Sequence, residues 1–519
     1  MFLELLPFYN KYLEPAAAYQ ITNVVQNFPF VSILLSLFIG IVCLAVKPKT
    51  AMKLVFFNLA ACFCLGLSTL IYCIGRGDYF IYVMGQFPAP FGNEIRVGVL
   101  EALMATAFAL VMLLSLMGGL KHIFHDVLPE KQTYYFLMME FLFTSLIALI
   151  YTNDLFTAYV FVEINTLTAC AIVMLKHSKE TLVATARYLM MSLLGSGLIM
   201  IGISILYDIS GHLLMEDIKV AVTALFNTGK YKLPLEVVIC LFAIGLGIKS
   251  ALYPFHSWLP DAHGTSTSGS SAVLSGLVLK AYIILLIKMI YRVFGMEVIL
   301  SSRVLNILFV LGILAMTIGS IKAINSRDLK RMIAYSSVAQ IGYIYLGIGL
   351  GPAGMAAACL QIIVHAYTKP MLFNTAGAFM DEANGSRKFK DLVGAARKNM
   401  WAGLGFAVGA FSMIGIPLFA GFVVKYNLAT AALSTTKIKA ILALVALVIS
   451  TVLNAIYYIP ALMVLFKKTD KTKNIVLFGD KADVPFIVSN GVFMVCNFIL
   501  GILSFVFIDL IIMGLAMFA

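Results

Sequence analysis

Apolar runs of bilayer-crossing length recur along the whole sequence, at roughly 30 to 46, 53 to 75, 97 to 117, 134 to 151, 154 to 176, 184 to 207, 235 to 254, 268 to 291, 304 to 323, 329 to 350, 353 to 379, 401 to 430, 438 to 466 and 486 to 516. A hydrocarbon core about 30 Å thick takes about 20 apolar residues in a helix, and only helices or closed barrels satisfy their own backbone inside it. With 61% of residues hydrophobic and 12% charged, the chain carries more apolar surface than a water-soluble core buries. The expected fold is an all-α polytopic membrane protein of about 14 transmembrane helices.

Several runs carry charges that oil does not tolerate cheaply. Lys249 comes roughly fourteen residues into its run and Lys280 roughly ten into the next, so both lie deep at about 1.5 Å of rise per residue. A charge there costs about 2.5 to 3.5 kcal/mol on insertion scales and is kept by a buried partner or by a role in an ion path. A single salt-bridged structural lysine is the plain alternative, and the further charges argue against it. Between the two lysines Pro254 interrupts the helix beside His256, and carbonyls freed at that depth need protein or a water-lined cavity.

Glu163 lies about nine residues into DLFTAYVFVEINTLTACAIVML, near mid-bilayer, where a buried lysine is its natural partner. Glu140, about two turns from the cytoplasmic edge of its run, is a candidate point for protons to come in from the side. Gln340 stands near the midplane with Tyr335, Ser336, Ser337 and Tyr343 about it; taken alone, such residues are interhelical glue. His365 and Lys369, four apart in QIIVHAYTKPML, share a helical face and favour a proton relay. In FSMIGIPLFAGFVVKYNLA, Pro417 and its glycines precede Lys425, a second interrupted helix beside an intramembrane lysine. Such features in both halves point to an inverted-repeat transporter with its sites at the breaks. Glu101, at the start of its run, reads as solvated, and Lys288 and Arg292 count with the connection after theirs.

The formal charge of +12 is explained by topology rather than by nucleic acid. Of the 37 basic residues, 22 fall in odd-numbered connections and 11 in the termini and even ones, which by the positive-inside rule makes the odd connections cytoplasmic and turns both termini outward. Residues 1 to 29 read as a short outward-facing segment on the membrane surface. The eight cysteines form no CxxC or Cys/His cluster and read as small apolar fillers, so neither an iron-sulfur nor a zinc site is expected in this chain. No phosphate-binding glycine motif stands between a strand and a helix.

HSWLPDAH at 256 to 263, LSGLVLK at 274 to 280, DLFTAYVFVE at 154 to 163, RDLKRMIAYSSVAQIGY at 327 to 343 and GIPLFAGFVVK at 415 to 425 together resemble one family. It is that of the antiporter-like, proton-translocating subunits of respiratory complex I, energy-converting membrane hydrogenases and multisubunit cation/proton antiporters. The resemblance spans roughly 130 to 430 in the right order. It implies two inverted five-helix repeats, and hence four segments: 1–133 with the first three helices, 134–294 as the first repeat, 295–466 as the second, and 467–519 with a cytoplasmic loop and the last helix. It also implies a polar axis along the midplane, in which Glu163 pairs with Lys249, Lys280 joins the halves, His365 and Lys369 connect onward, and Lys425 faces the exit. Gln340 stands where many members have histidine, which implies a water-holding role, and Ser-Thr-Ser replaces the usual Ala-Pro after DAH.

The expectation is therefore a subunit that moves protons, or protons against sodium, within a redox-driven multisubunit pump in a prokaryotic cell membrane. Its partners would be other membrane subunits, further antiporter-like ones included, and the lipid bilayer. Catalytic cofactors, whether iron-sulfur clusters, nickel-iron, flavin or quinone, would sit on those partners. The alternatives are a subunit of a non-redox multisubunit cation/proton antiporter, a stand-alone secondary carrier, and a scaffold that only joins other subunits.

Overall fold

The computed structural model describes residues 23–87, 92–229, 231–468, 475–479 and 483–518. The N-terminal membrane-surface segment lies mostly outside these, as do Lys11, Lys230, Lys471, Lys473 and Lys481 of the charge count.

Helices make up nearly all of the described chain. Helices α1 (Phe28–Cys43) and α2 (Pro48–Arg76) each carry a proline in the first turn, where the missing N–H leaves no bond unmade, and α2 ends on Gly77 at φ 72°. A short antiparallel hairpin, β1 (Phe80–Val83) with β2 (Glu94–Val97), follows and is bridged from Ile95 to Thr152. Then come α3 (Val99–Asp126), α4 (Gln132–Tyr151), α5 (Leu155–Met174) and α6 (Lys179–Ser210). The side chain of Asp154 caps α5 by accepting from the Thr157 N–H at 2.6 Å.

The amphipathic α7 (Met215–Thr228) leads to α8 (Lys232–Lys249), which ends at its lysine rather than running on to 254. The chain turns through Ala251, at φ 58°, and Pro254 into the short α9 (Trp258–Thr265). The long α10 (Ser268–Phe294) is buried on every side, as a helix apolar all round must be at the centre of a bundle. It widens into π-helical stretches at Leu274–Val278 and Met289–Phe294. Glycine lets its neighbours close in: a Cβ on Gly276 would meet the Pro370 ring at 2.6 Å, and one on Gly119 would meet the Gly269 Cα at 2.3 Å.

A second set follows a one-and-a-half-turn α11 (Met296–Ser301): α12 (Val304–Ile324), α13 (Leu329–Gly349) and α14 (Pro352–Glu382), which runs on through Pro370. After α15 (Ala395–Lys398), α16 (Met400–Ile414) breaks at Gly415 and Pro417 before α17 (Ala420–Leu433). Gly421 is fixed here by close approach, since a Cβ would come within 1.8 Å of the Ser412 carbonyl. Helix α18 (Lys437–Phe466) is unbroken, whereas the run expected at 486 to 516 divides at Leu503 into α19 (Val484–Ile502) and α20 (Ser504–Ala516).

Among the described residues, ten helices are long and apolar enough to cross a membrane, and the chain is a polytopic helical membrane protein. The expected spans outside those ten fall on α8, α13, α14 and the α16–α17 pair. These carry Lys249, Gln340, and His365 with Lys369, or hold the break before Lys425.

The hairpin also yields a pH-dependent prediction. Burial lifts the Glu94 carboxyl from its ordinary 4.5 to about 6, although its side chain accepts from Asn153 at 2.5 Å. The folded chain thus holds a proton there that the unfolded chain has lost, so stability falls as pH rises from 4.5 toward 6 and stays lower above. Glu94→Gln should gain up to about 2 kcal/mol above that window and nothing below it. Thermal midpoints across pH check this; a gain at acid pH alone would contradict it.

Candidate functional site

The buried polar residues of the middle of α5, the ends of α8 and α9, and the middles of α10, α13 and α14 meet inside the bundle. Glu163 and Lys249 form an ion pair with 3.6 Å between Nζ and Oε1; the lysine is fully buried while 24% of the glutamate side chain is exposed. The nearest acceptor for Lys249 is the Thr166 hydroxyl, at 2.7 Å, and the Tyr282 ring lies 5.6 Å from the same nitrogen. Thr166 is three residues on from Glu163 and hence on its face, the signal by which it could have been singled out.

Helix α6 passes alongside. A Cβ on Gly195 would stand 3.2 Å from Cγ of Lys249, and Thr181, Thr185, Tyr188, Ser192 and Ser196 form a buried stripe along the approach. Among the described residues the hydroxyls of Ser192 and Ser196 have no hydrogen-bond partner, nor does the Asn165 amide. Buried polar groups of this kind are ordinarily satisfied by ordered water.

Lys280 follows the first π-helical stretch and donates back to the Ser275 carbonyl, while the Ser275 hydroxyl meets that of Ser337 at 3.0 Å. Helical widening of this sort is often found at functional positions. His365 is fully buried, within electrostatic reach of Lys280 and Lys369, and among the described residues neither of its ring nitrogens has a hydrogen-bond partner. Lys369 donates to the Ser336 hydroxyl and, at 3.0 Å, to the Ile333 carbonyl.

A chain of hydroxyls continues from there. Ser336 meets Tyr458 at 2.9 Å, the Tyr458 and Tyr457 rings are 4.7 Å apart, Tyr457 donates to Asn454 at 2.7 Å, and the Asn454 amide reaches the Tyr343 hydroxyl at 3.4 Å. Lys425 sits 5.3 Å from the Tyr343 ring, held by the Ile414 carbonyl at 2.5 Å and the Thr451 hydroxyl at 2.9 Å. The break after Ile414 is what frees that carbonyl for the lysine. Gln340 accepts from Gln361 at 2.7 Å, joining α13 to α14 one turn from His365.

Two predicted residues stand apart from this row. The His256 Nε2 lies 3.0 Å from Lys322 near the C-terminal end of α12, and Glu140 accepts from Asn58 on α2, at 2.7 Å. Sequence reasoning missed His263, which is buried 5.2 Å from the Phe373 ring with neither nitrogen partnered among the described residues. It also misplaced three charges. Glu101 is buried in an ion pair with Arg292, not solvated, and Lys288 is wholly buried, donating to the carbonyls of Leu149, Ile150 and Thr152 at 3.2, 2.6 and 2.6 Å. The hairpin and α20 cover that end of the bundle, so these residues lie inside it rather than in a loop. Among the described residues no His, Cys, Asp and Glu group of three or more is arranged to hold a metal ion.

Residues 152–453 match the family described as NADH:quinone oxidoreductase/Mrp antiporter, transmembrane. The chain is 32% identical over 397 residues to an NADH-quinone oxidoreductase subunit of Desulforudis audaxviator, covering 76% of each. It is 27% identical over 351 residues to a Na(+)/H(+) antiporter subunit of Alkalihalophilus pseudofirmus, covering 67% of this chain and 69% of that one. Its fold matches a chain of the membrane-bound sulfane sulfur reductase, an archaeal respiratory membrane complex, with a TM-score of 0.82 at 21% identity over 95% of this chain and 98% of that one. The matched segment takes in Glu163, Lys249, Lys280, His365, Lys369 and Lys425, and the chain belongs to the NADH:quinone oxidoreductase/Mrp antiporter transmembrane family.

Proposed function

We propose that this chain moves protons, with sodium as the alternative cation, as an antiporter-like membrane subunit of a multisubunit redox-driven complex. The observation that carries the reading is the succession of buried polar residues Glu163, Lys249, Lys280, His365, Lys369 and Lys425 across both halves of the bundle, with Glu163 paired to Lys249 and hydroxyls, an amide and tyrosine rings leading from Lys369 toward Lys425. An ionised Glu163 holds Lys249 protonated. When that pairing opens, the proton passes toward Lys280 and onward through His365 and Lys369 to Lys425.

Protons reach Lys249 along the α6 stripe, where water between the unpartnered hydroxyls would complete the path. Gln340 holds water beside His365 rather than carrying the proton itself. On this reading the topology is fourteen crossings with both termini outward. The segments 134–294 and 295–466 are inverted repeats, supported by the matching breaks after Lys249 and before Lys425. Cofactors that drive the pump belong to partner subunits. A subunit of a non-redox cation/proton antiporter is the second reading, favoured by the 27% identity to a Na(+)/H(+) antiporter subunit.

Ser196→Leu tests the path by putting a branched apolar group into the stripe. In vesicles holding the assembled complex, a pH-sensitive dye should report at least about tenfold slower proton uptake, because closing a wet path forces a charge through oil. Uptake at the parental rate would overturn the proposed route. A driving reaction that persists in partner subunits without any cation movement in the parental complex would overturn the function itself.

A further inference from the structure

Beside the row, α1, α2 and α4 enclose a second polar centre. Glu140 is fully buried; its Oε2 accepts from Asn58 Nδ2 at 2.7 Å, and among the described residues its Oε1 has no partner. The same Asn58 nitrogen is 3.0 Å from the Ser36 hydroxyl, which donates to the Ser32 carbonyl at 2.8 Å, and the Cys62 thiol lies 3.5 Å from Asn58 Oδ1. Asn58 and Ser36 are as buried as Glu140. Among the described residues Glu140 makes no ion pair, and the titratable groups in its field are the Cys43 thiol of α1 and the Cys62 thiol of α2.

A carboxyl with no basic partner in a low-dielectric interior either carries a proton or binds a cation. We infer that Glu140, Asn58 and Ser36 form a binding site for one exchangeable monovalent cation, a proton or a sodium ion. The donors are of the hard, oxygen-rich type that such ions take. The Asn58 amide is the switch. With its NH2 toward Glu140 and Ser36 it donates to Oε2, the carbonyl oxygen of the acid form, and to the Ser36 hydroxyl. Turned over, it presents Oδ1 in the same place, so that three side-chain oxygens converge on one point.

The site's position gives it a use. Helices α4 and α5 run antiparallel through the turn at Asn153, with Glu140 thirteen residues before it and Glu163 ten after. The two carboxyls therefore differ in depth by only about 4.5 Å at 1.5 Å per residue. Glu140 lies at the Glu163 end of the row, one helix further out. A cation released here would pass to Glu163, a role that rests on the cation-moving reading above, whereas the binding itself does not.

Infrared difference spectroscopy of the assembled complex in lipid, under buffer exchange, tests it. The signal is the carbonyl band of a protonated carboxylic acid that is missing in Glu140→Gln. Loss of that band on adding Na+ at constant pH assigns the site to sodium, and loss only on moving from mildly acidic to mildly alkaline buffer assigns it to the proton. Ser36→Ala keeps the carboxyl and should shift the midpoint of whichever exchange occurs by about tenfold, the worth of one oxygen contact. A Glu140 band indifferent to both, or no Glu140-dependent band under any condition, would overturn the site. The measurement runs equally in Lys249→Ala, so a failure of the row and a failure of this site read out separately.

Discussion

Lys249→Ala in the assembled complex should abolish coupled cation movement while leaving the complex able to assemble. Among the described residues the lysine is the one cation within ion-pair distance of Glu163, and its nitrogen reaches both that carboxylate and Thr166. Those two positions are what a proton-passing lysine needs: one that stabilises its charge and one from which the charge can leave. One charge crossing a 100 mV potential is worth about 2.3 kcal/mol, so losing this step leaves the field nothing to act on. Assembly should survive because Glu163, part of whose side chain is exposed, can go neutral without stranding a charge. Dye-reported uptake in vesicles, with co-purification of partner subunits as the control, checks both halves. Parental uptake would refute the relay. Loss of assembly would recast Lys249 as a structural group.

Glu101→Gln should destabilise the protein by about 3 to 5 kcal/mol, the range for breaking a buried ion pair from one side. Arg292 is wholly buried, bonded to Glu101, with its guanidinium 3.9 Å from the Phe518 ring. Glu101 also closes the first turn of α3 by accepting from the Gly98 N–H at 3.1 Å. Replacing both members by methionine should recover much of the loss, since neither partner is then left buried as an unpaired charge. Thermal unfolding of the solubilised protein separates the outcomes. A Glu101→Gln variant as stable as the parent would mean that Arg292 finds its main partner elsewhere.

How much of this is legible in the sequence depends on what betrays a buried charge. Lys249, Lys280 and Lys425 stand out because a lysine in the middle of an apolar run has no innocent place. Pro254 and Pro417 announce the breaks beside two of them. His365 and Lys369 are readable from spacing alone. Glu101, Lys288 and Arg292 are not, because a charge near the end of a run looks solvated until the hairpin and α20 are seen to cover it. The partners are harder still. Lys280 and Lys425 are held by the carbonyls of Ser275 and Ile414, and which carbonyls are free depends on helix widening and breakage that the residue pattern does not specify. Thr166, Gln361 and His263 lie inside segments that the charges single out but look like ordinary neighbours. Glu140 reads in sequence as a lateral access point near the membrane edge; the amide and hydroxyl that surround it come from helices more than eighty residues away.

The central claim is a continuous polar path from Glu163 to Lys425, and a high-resolution cryo-electron microscopy map of the assembled complex tests it most directly. Ordered water should bridge Lys280 to His365 and fill the gaps beside Ser192, Ser196 and Gln340, where buried polar atoms lack partners among the described residues. A map with Glu163 and Lys249 turned apart, or with dry apolar side chains filling the space between Lys280 and Lys369, would contradict the account.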